Sequence, residues 1–235
     1  MRLSRVCVFV VLIAAGLALG ASVQAQDVRI GMRTGVVQST LQGELFYPAL
    51  DFEGGQVQTT HQKGVQVGGF VAVSLSDRLA VQAELQYAQK GAAIRGEWSG
   101  TCGSPLALCV RPSLEGTYRT SYVQLPVLLT WRQPLGHGLG LRLLAGPSFD
   151  LLADTQIVTV NLSASALPQN ALSPMSDETL GAVAGVEVQY DVAAGGALVL
   201  GARYHPGVTE IDMLNVDSTI RSRAYVVSLG YSLGL

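Results

Sequence analysis

The chain has 235 residues, of which only 14 % are charged, and its formal net charge is −2. Such sparse charge excludes a disordered chain, which needs high charge and low hydrophobicity. It also excludes a nucleic-acid partner, because no basic stripe is available to neutralise phosphates, and it is too little for the usual water-facing surface of a soluble domain, where roughly 25 % of residues are charged.

The N-terminus reads as an address. Arg2 and Arg5 precede an apolar run from Val6 to Leu19, and the small-residue sequence Val23-Gln24-Ala25 follows. A basic start, an apolar stretch and an A-x-A-like end describe a secretory signal peptide over residues 1–25, cleaved after Ala25. The run is short for a membrane span, which weighs against an uncleaved anchor. Cys7 lies at the start of the run, where a lipoprotein cysteine is not placed. Residues 26–235 are then the mature chain and a single domain. Beyond the signal no uninterrupted apolar run reaches the ~18 residues of a membrane helix, so the mature chain can enter a membrane only as strands.

Strand alternation fills that mature chain. A weak run at Val28–Val37 comes first. Val65, Val67, Gly69, Val71, Val73 and Leu75 then alternate with Gln66, Gly68, Phe70, Ala72 and Ser74. Leu79 to Tyr87 alternate with Ala80, Gln82, Glu84, Gln86 and Ala88. Val123, Leu125, Val127, Leu129 and Trp131 form the next apolar face. Leu141 to Leu151 oppose Arg142, Leu144, Gly146, Ser148 and Asp150, and Leu180 to Tyr190 oppose Gly181, Val183, Gly185, Glu187 and Gln189. A weak run at Ala197–Val208 precedes the last strand, Tyr225 to Leu235. That makes eight strands, each long enough for a tilted membrane strand.

The connections alternate in length. Residues 76–78, 133–138 and 192–196 are short turns, whereas about 38–62, 91–117, 153–178 and 208–220 are long and polar. This rhythm is that of an eight-stranded antiparallel up-and-down transmembrane β-barrel with short periplasmic turns and long extracellular loops. Both termini are expected to face the periplasm. Lipid offers no hydrogen bonds, so the barrel must close and the last strand must pair with the first.

Alternation alone leaves open whether the apolar face points inward, as in a soluble lipid-binding barrel, or outward. The other face consists mostly of Gly, Ala, Ser and Gln, too poor in charge for a solvated surface. It suits instead the interior of an eight-stranded barrel, which side chains just fill. Aromatic residues also gather toward strand ends, at Tyr87, Trp131, Phe149, Tyr190, Tyr204, Tyr225 and Tyr231, as interfacial girdles do, although Tyr122 has the opposite parity. The apolar face is therefore expected to meet lipid.

On that orientation the inward mid-strand charges are Arg33, Glu84, Arg142, Asp150, Glu187 and Arg203. They are expected to form a lumen network of ion pairs, because buried charges persist when paired. An ion-selective constriction or a catalytic cluster is the functional alternative, but eight strands are too few for an open aqueous channel.

Cys102 and Cys109 lie in the second long loop and read as a disulfide in an exported protein. A metal site would need further ligands that the neighbourhood lacks. His61 falls in a long loop, His137 in a short turn and His205 on the lumen parity. A triad can be assembled on paper from His205, Ser228 and Glu187, but other serines serve as well, and neither a nucleophile elbow nor a phosphate loop appears. No catalytic, metal or cofactor site is expected.

Several segments carry a resemblance: Gly64-Val65-Gln66-Val67-Gly68-Gly69-Phe70, the stretch Leu75 to Gly91 ending Leu85-Gln86-Tyr87-Ala88-Gln89-Lys90-Gly91, Tyr122-Val123-Gln124-Leu125-Pro126-Val127-Leu128-Leu129, Leu144-Ala145-Gly146-Pro147, Gly185-Val186-Glu187-Val188 and Ala202-Arg203-Tyr204. Together they resemble the bacterial outer-membrane β-barrel domain family that includes the PorT-like proteins. The resemblance covers nearly all the mature chain and implies an integral barrel of the bacterial outer membrane. Its motifs specify a scaffold and no reaction. The final residue, Leu235, departs from the aromatic that often ends such barrels. The expected function is non-enzymatic, structural or interactive, with the extracellular loops meeting a ligand, a protein or lipopolysaccharide at the lipid surface. A narrow channel for small solutes and a lipid-modifying enzyme are the alternatives.

Overall fold

The computed structural model describes residues 27–42, 55–98, 113–162, 178–192, 195–208 and 221–235. Within them the chain forms eight strands: β1 (Val28–Gln42), β2 (Gly55–Ser74), β3 (Leu79–Trp98), β4 (Ser113–Gly136), β5 (Leu139–Leu162), β6 (Glu178–Asp191), β7 (Gly196–Pro206) and β8 (Arg221–Gly234). They close in sequence order into one antiparallel barrel. β1 pairs with β8 from Arg29 opposite Gly234 to Gln42 opposite Arg221, so neither terminal strand has an open edge along this length.

The orientation follows the alternation. Met32, Val67, Leu85, Leu129, Leu143, Leu200, Val227 and Leu229 point outward, with Met32 74 % exposed and Val227 60 % exposed. Gln66, Gln82, Glu84, Gln124, Arg142, Glu187 and Arg203 fill the interior. A protein in water would bury the first set and expose the second, so the surroundings this surface is built for are hydrocarbon. Two aromatic levels mark its edges. Trp131, Tyr190 and Tyr231 lie toward the turn end of their strands, Tyr204 and Tyr225 toward the other end, and Tyr87 near the middle of β3. Tyr204 and Tyr225 face each other with ring centroids 5.0 Å apart, and the Tyr87 hydroxyl donates to Ser121 Oγ at 2.8 Å. Tyr122, of opposite parity, is buried in the lumen.

The turns explain the register. β4 and β5 are joined through His137 and Gly138, whose φ values are +53° and +77°. Two consecutive left-handed residues match the twist of a two-residue hairpin, and glycine takes the second position without steric cost. This turn, residues 75–78, Val192 and Gly195 all lie at the end where Asp27 and Leu235 sit.

At the opposite end the strands run further than the alternation indicates. β4 and β5 each have 24 residues. At about 3.3 Å per residue and about 40° of tilt, such a strand rises about 60 Å, against an apolar band of about 25 Å. The connections expected at 38–62, 91–117 and 153–178 are thus partly strand. His61, expected in a loop, lies in β2 next to a register irregularity between His61 and Gln66. Above the lipid both faces of a strand are wet, so a hairpin ladder continues there without any apolar alternation to announce it. The signal region, Cys102 and Cys109 lie outside the described residues.

Candidate functional site in the barrel lumen

Among the described residues, the buried charged and polar side chains of the inner face are stacked in three levels. At the periplasmic mouth, Arg132 Nη2 donates to Asp191 Oδ2 at 2.9 Å. Gln189 Nε2 donates to Asp191 Oδ1 at 2.6 Å, and Arg29 reaches Asp27 at 3.4 Å and Asp191 at 3.9 Å. These residues come from β4, β6, β1 and the residue just before β1, so they join non-adjacent parts of the wall.

The middle level gathers five of the six lumen residues singled out from the sequence. Glu187 is its hub. Its Oε1 accepts from Arg33 Nη1 at 2.7 Å and from Arg203 Nη2 at 2.6 Å, and its Oε2 lies 3.2 Å from Arg142 Nη1. Arg142 stands directly opposite Glu187 in the β5–β6 register. Glu84 accepts a two-pronged contact from Arg203, with Nη1 to Oε2 at 2.7 Å and Nη2 to Oε1 at 2.8 Å. Gln82 and Gln86 donate to the same carboxylate. Arg142 Nη2 donates to Gln82 Oε1 at 2.5 Å. Arg33 lies over the Phe70 ring, 4.8 Å from its centroid, an attraction of about 2 kcal/mol where water is excluded. The five charged side chains are between 0 and 8 % exposed, and they hang from β1, β3, β5, β6 and β7.

Asp150, the sixth, is not part of this cluster. It forms the upper level with Lys90, whose Nζ lies 2.7 Å from Asp150 Oδ2. Gln124 Nε2 and Ser148 Oγ donate to the same carboxylate, each at 2.5 Å. Lys90 also lies over the Tyr122 ring, 5.4 Å from the centroid. Sequence reasoning passed over Lys90 because it ended the third strand at Ala88. The sign was there, since Ala88, Lys90 and Ala92 continue the inward parity.

Glycines make this filling fit. A Cβ on Gly185 would stand 2.8 Å from Arg203 Cγ, and one on Gly31 would stand 2.4 Å from Phe70 Cζ. The long lumen side chains lie across bare backbone on the neighbouring strand. An eight-stranded interior has room for such side chains only where the opposite position is empty.

This arrangement can hold the wall together across the bore. Glu187 is engaged by three guanidiniums, and His205 Nε2 is buried without a hydrogen-bond partner. The relay drawn from His205, Ser228 and Glu187 is therefore not connected by hydrogen bonds through Nε2. Among the described residues, no three His, Cys, Asp or Glu side chains stand close enough to share a metal ion.

The family model described as outer membrane protein beta-barrel domain matches residues 24–212. The chain belongs to this family. It is a protein of the bacterial outer membrane. No curated protein matches the chain significantly. Among solved structures, the outer membrane protein OprG from Pseudomonas aeruginosa is similar over 90 % of this chain and 97 % of its own, with 13 % identity and a TM-score of 0.53. Neisserial surface protein A gives 10 % identity, coverage of 87 % and 96 %, and a TM-score of 0.46. The outer membrane protease OmpT from Escherichia coli gives 8 % identity, coverage of 91 % and 99 %, and a TM-score of 0.47. At these identities the likeness to OprG concerns the fold alone.

Proposed function

We propose that this is a non-enzymatic outer-membrane protein, a closed barrel that anchors a surface platform for a ligand, a partner protein or lipopolysaccharide. The observation that carries the reading is the middle level of the lumen. Five interlocked charged side chains from five strands, almost wholly buried, cross the bore where a solute would have to pass. Support also comes from β2–β5, whose length beyond the apolar band lifts backbone ladder well clear of the lipid. The closer kinship with PorT-like proteins that the strand motifs suggest belongs to the same proposal, with no export role attached.

Planar-bilayer recording with the purified protein tests it. The expected record has no discrete, reproducible conductance steps in the wild type. Such steps would replace this reading with passage of small solutes through a narrow lumen. Incubation with outer-membrane lipid, followed by lipid analysis, is expected to leave the lipid unchanged, and a modified acyl chain would establish an enzyme instead. On the same reading residues 1–25 are the cleaved export signal, and Cys102 and Cys109 form a disulfide in an outer loop. The non-reduced mass of the mature protein decides both.

A further inference from the structure

The middle level of the lumen does not balance. It holds three guanidiniums, Arg33, Arg142 and Arg203, against two carboxylates, Glu84 and Glu187. Asp150 does not make up the difference, because Lys90 neutralises it at the upper level. Among the described residues, one buried positive charge is left over.

Hydrogen bonding locates it. Arg203 is engaged through Nε, Nη1 and Nη2 by Glu84 and Glu187. Arg142 donates to Gln82 and faces Glu187 Oε2. Arg33 is the least satisfied. Its Nη1 donates to Glu187 at 2.7 Å, but its Nη2 lies 3.6 Å from Glu84 Oε1, beyond hydrogen-bond reach. Its Nε is buried with no acceptor at all. Nε and Nη2 form one edge of the guanidinium, the two-pronged edge by which arginine grips an oxyanion or halide. That edge makes no hydrogen bond, and only the 3.6 Å ion pair with Glu84 faces it, on a side chain 2 % exposed.

Other remedies fall short. Arginine does not shed its proton in a protein. The Phe70 ring attracts the cation, but less strongly than removal from water penalises it. A buried water would satisfy Nε and leave the charge. We propose that the Nε/Nη2 edge of Arg33 binds a small monovalent inorganic anion, chloride in kind, which serves inside the barrel as the third counter-charge of the cluster.

The test is thermal unfolding of the purified barrel in detergent, read from the gel mobility of folded and unfolded forms. Ionic strength and pH are held fixed while chloride replaces gluconate, an anion too bulky for the lumen. The expected wild-type midpoint rises with chloride, by about 3–5 °C for each tenfold increase above the dissociation constant. Arg33→Gln, whose cluster is balanced, is expected to show a flat response. Should that variant not assemble, Arg33→Met removes the same edge and the same charge and decides on the same readout. A flat wild-type response, as a bound water would give, overturns the proposal. So does a chloride response that persists undiminished in the balanced variant.

Discussion

Arg203 and Glu84 meet end to end across the lumen, Nη1 to Oε2 at 2.7 Å and Nη2 to Oε1 at 2.8 Å, although 119 positions separate them in the chain. Strands β7 and β3 lie far apart around the barrel order, so this contact is a brace across the bore and not a rung between neighbours. The braces make specific demands on stability.

Charge balance predicts an order of harm in the middle level. Glu187→Gln leaves three guanidiniums facing one carboxylate, and it is expected to cost about 3–5 kcal/mol, the usual penalty for stranding a buried charge. Arg33→Gln is expected to cost less, because it removes the surplus. Urea unfolding in lipid vesicles gives both values. Equal losses would show that the count of charges is not what governs the cluster.

The pair Arg142 and Glu187 is expected to be coupled. Arg142→Met and Glu187→Gln are each destabilising, and the double variant should lose less than the sum by about 0.5–3 kcal/mol. Additivity, or no loss in either single variant, would remove this pair from the account.

The upper level makes no direct contact with Glu187, although Gln124, Gln66 and Gln86 link Asp150 to Glu84 by hydrogen bonds. Lys90→Met is expected to destabilise the barrel, and Lys90→Met with Asp150→Asn to restore part of the loss. Combining Lys90→Met with Glu187→Gln should give nearly the sum of the two. The same unfolding series reads all four.

Orientation has its own test. Leu229 is 56 % exposed on the outer face and Ser228 beside it is buried in the lumen. Leu229→Arg is expected to cost about 2–4 kcal/mol in bilayers, as for a basic side chain placed in hydrocarbon. Little change on refolding into vesicles would mean that Leu229 does not face lipid.

Gly146 tests the packing of β5 on β4. A Cβ there would fall 2.0 Å from the carbonyl oxygen of Val127, on rigid backbone. Gly146→Ala is expected to lower stability by about 2 kcal/mol or more. A heat-shift midpoint equal to wild type would show that the two strands have slack at this point.

The barrel was legible where lipid imposes a rule. Leu79, Val81, Leu85 and Tyr87 must be apolar because hydrocarbon touches them, and their partners are free to be small or polar, so parity, turns and closure could be read directly. The rule lapses at the membrane edge. Thr59, Thr60 and His61 show no alternation, and the outer lengths of β2–β5 went unread for that reason, as did Lys90. The inward charges were readable one by one, but their pairing was not. Whether Asp150 meets Lys90 or Arg142 depends on the relative heights of strands that are not neighbours, which strand tilt and stagger set and local sequence does not. Phe70 and the glutamines around Glu84 were visible as inward residues, yet nothing local marks them as partners of a guanidinium.

Seven of the eight strand pairings join neighbours in the chain, and only β1 with β8 must bring together its two ends. Loops of a few residues close quickly and long-range contacts late, so hairpins can zip before that final seam does. Arg33 reaches Glu187 from the strand beside the seam. Its guanidinium therefore stays hydrated through most of assembly, and the step that shuts the cylinder is also the step that dehydrates its ionic centre.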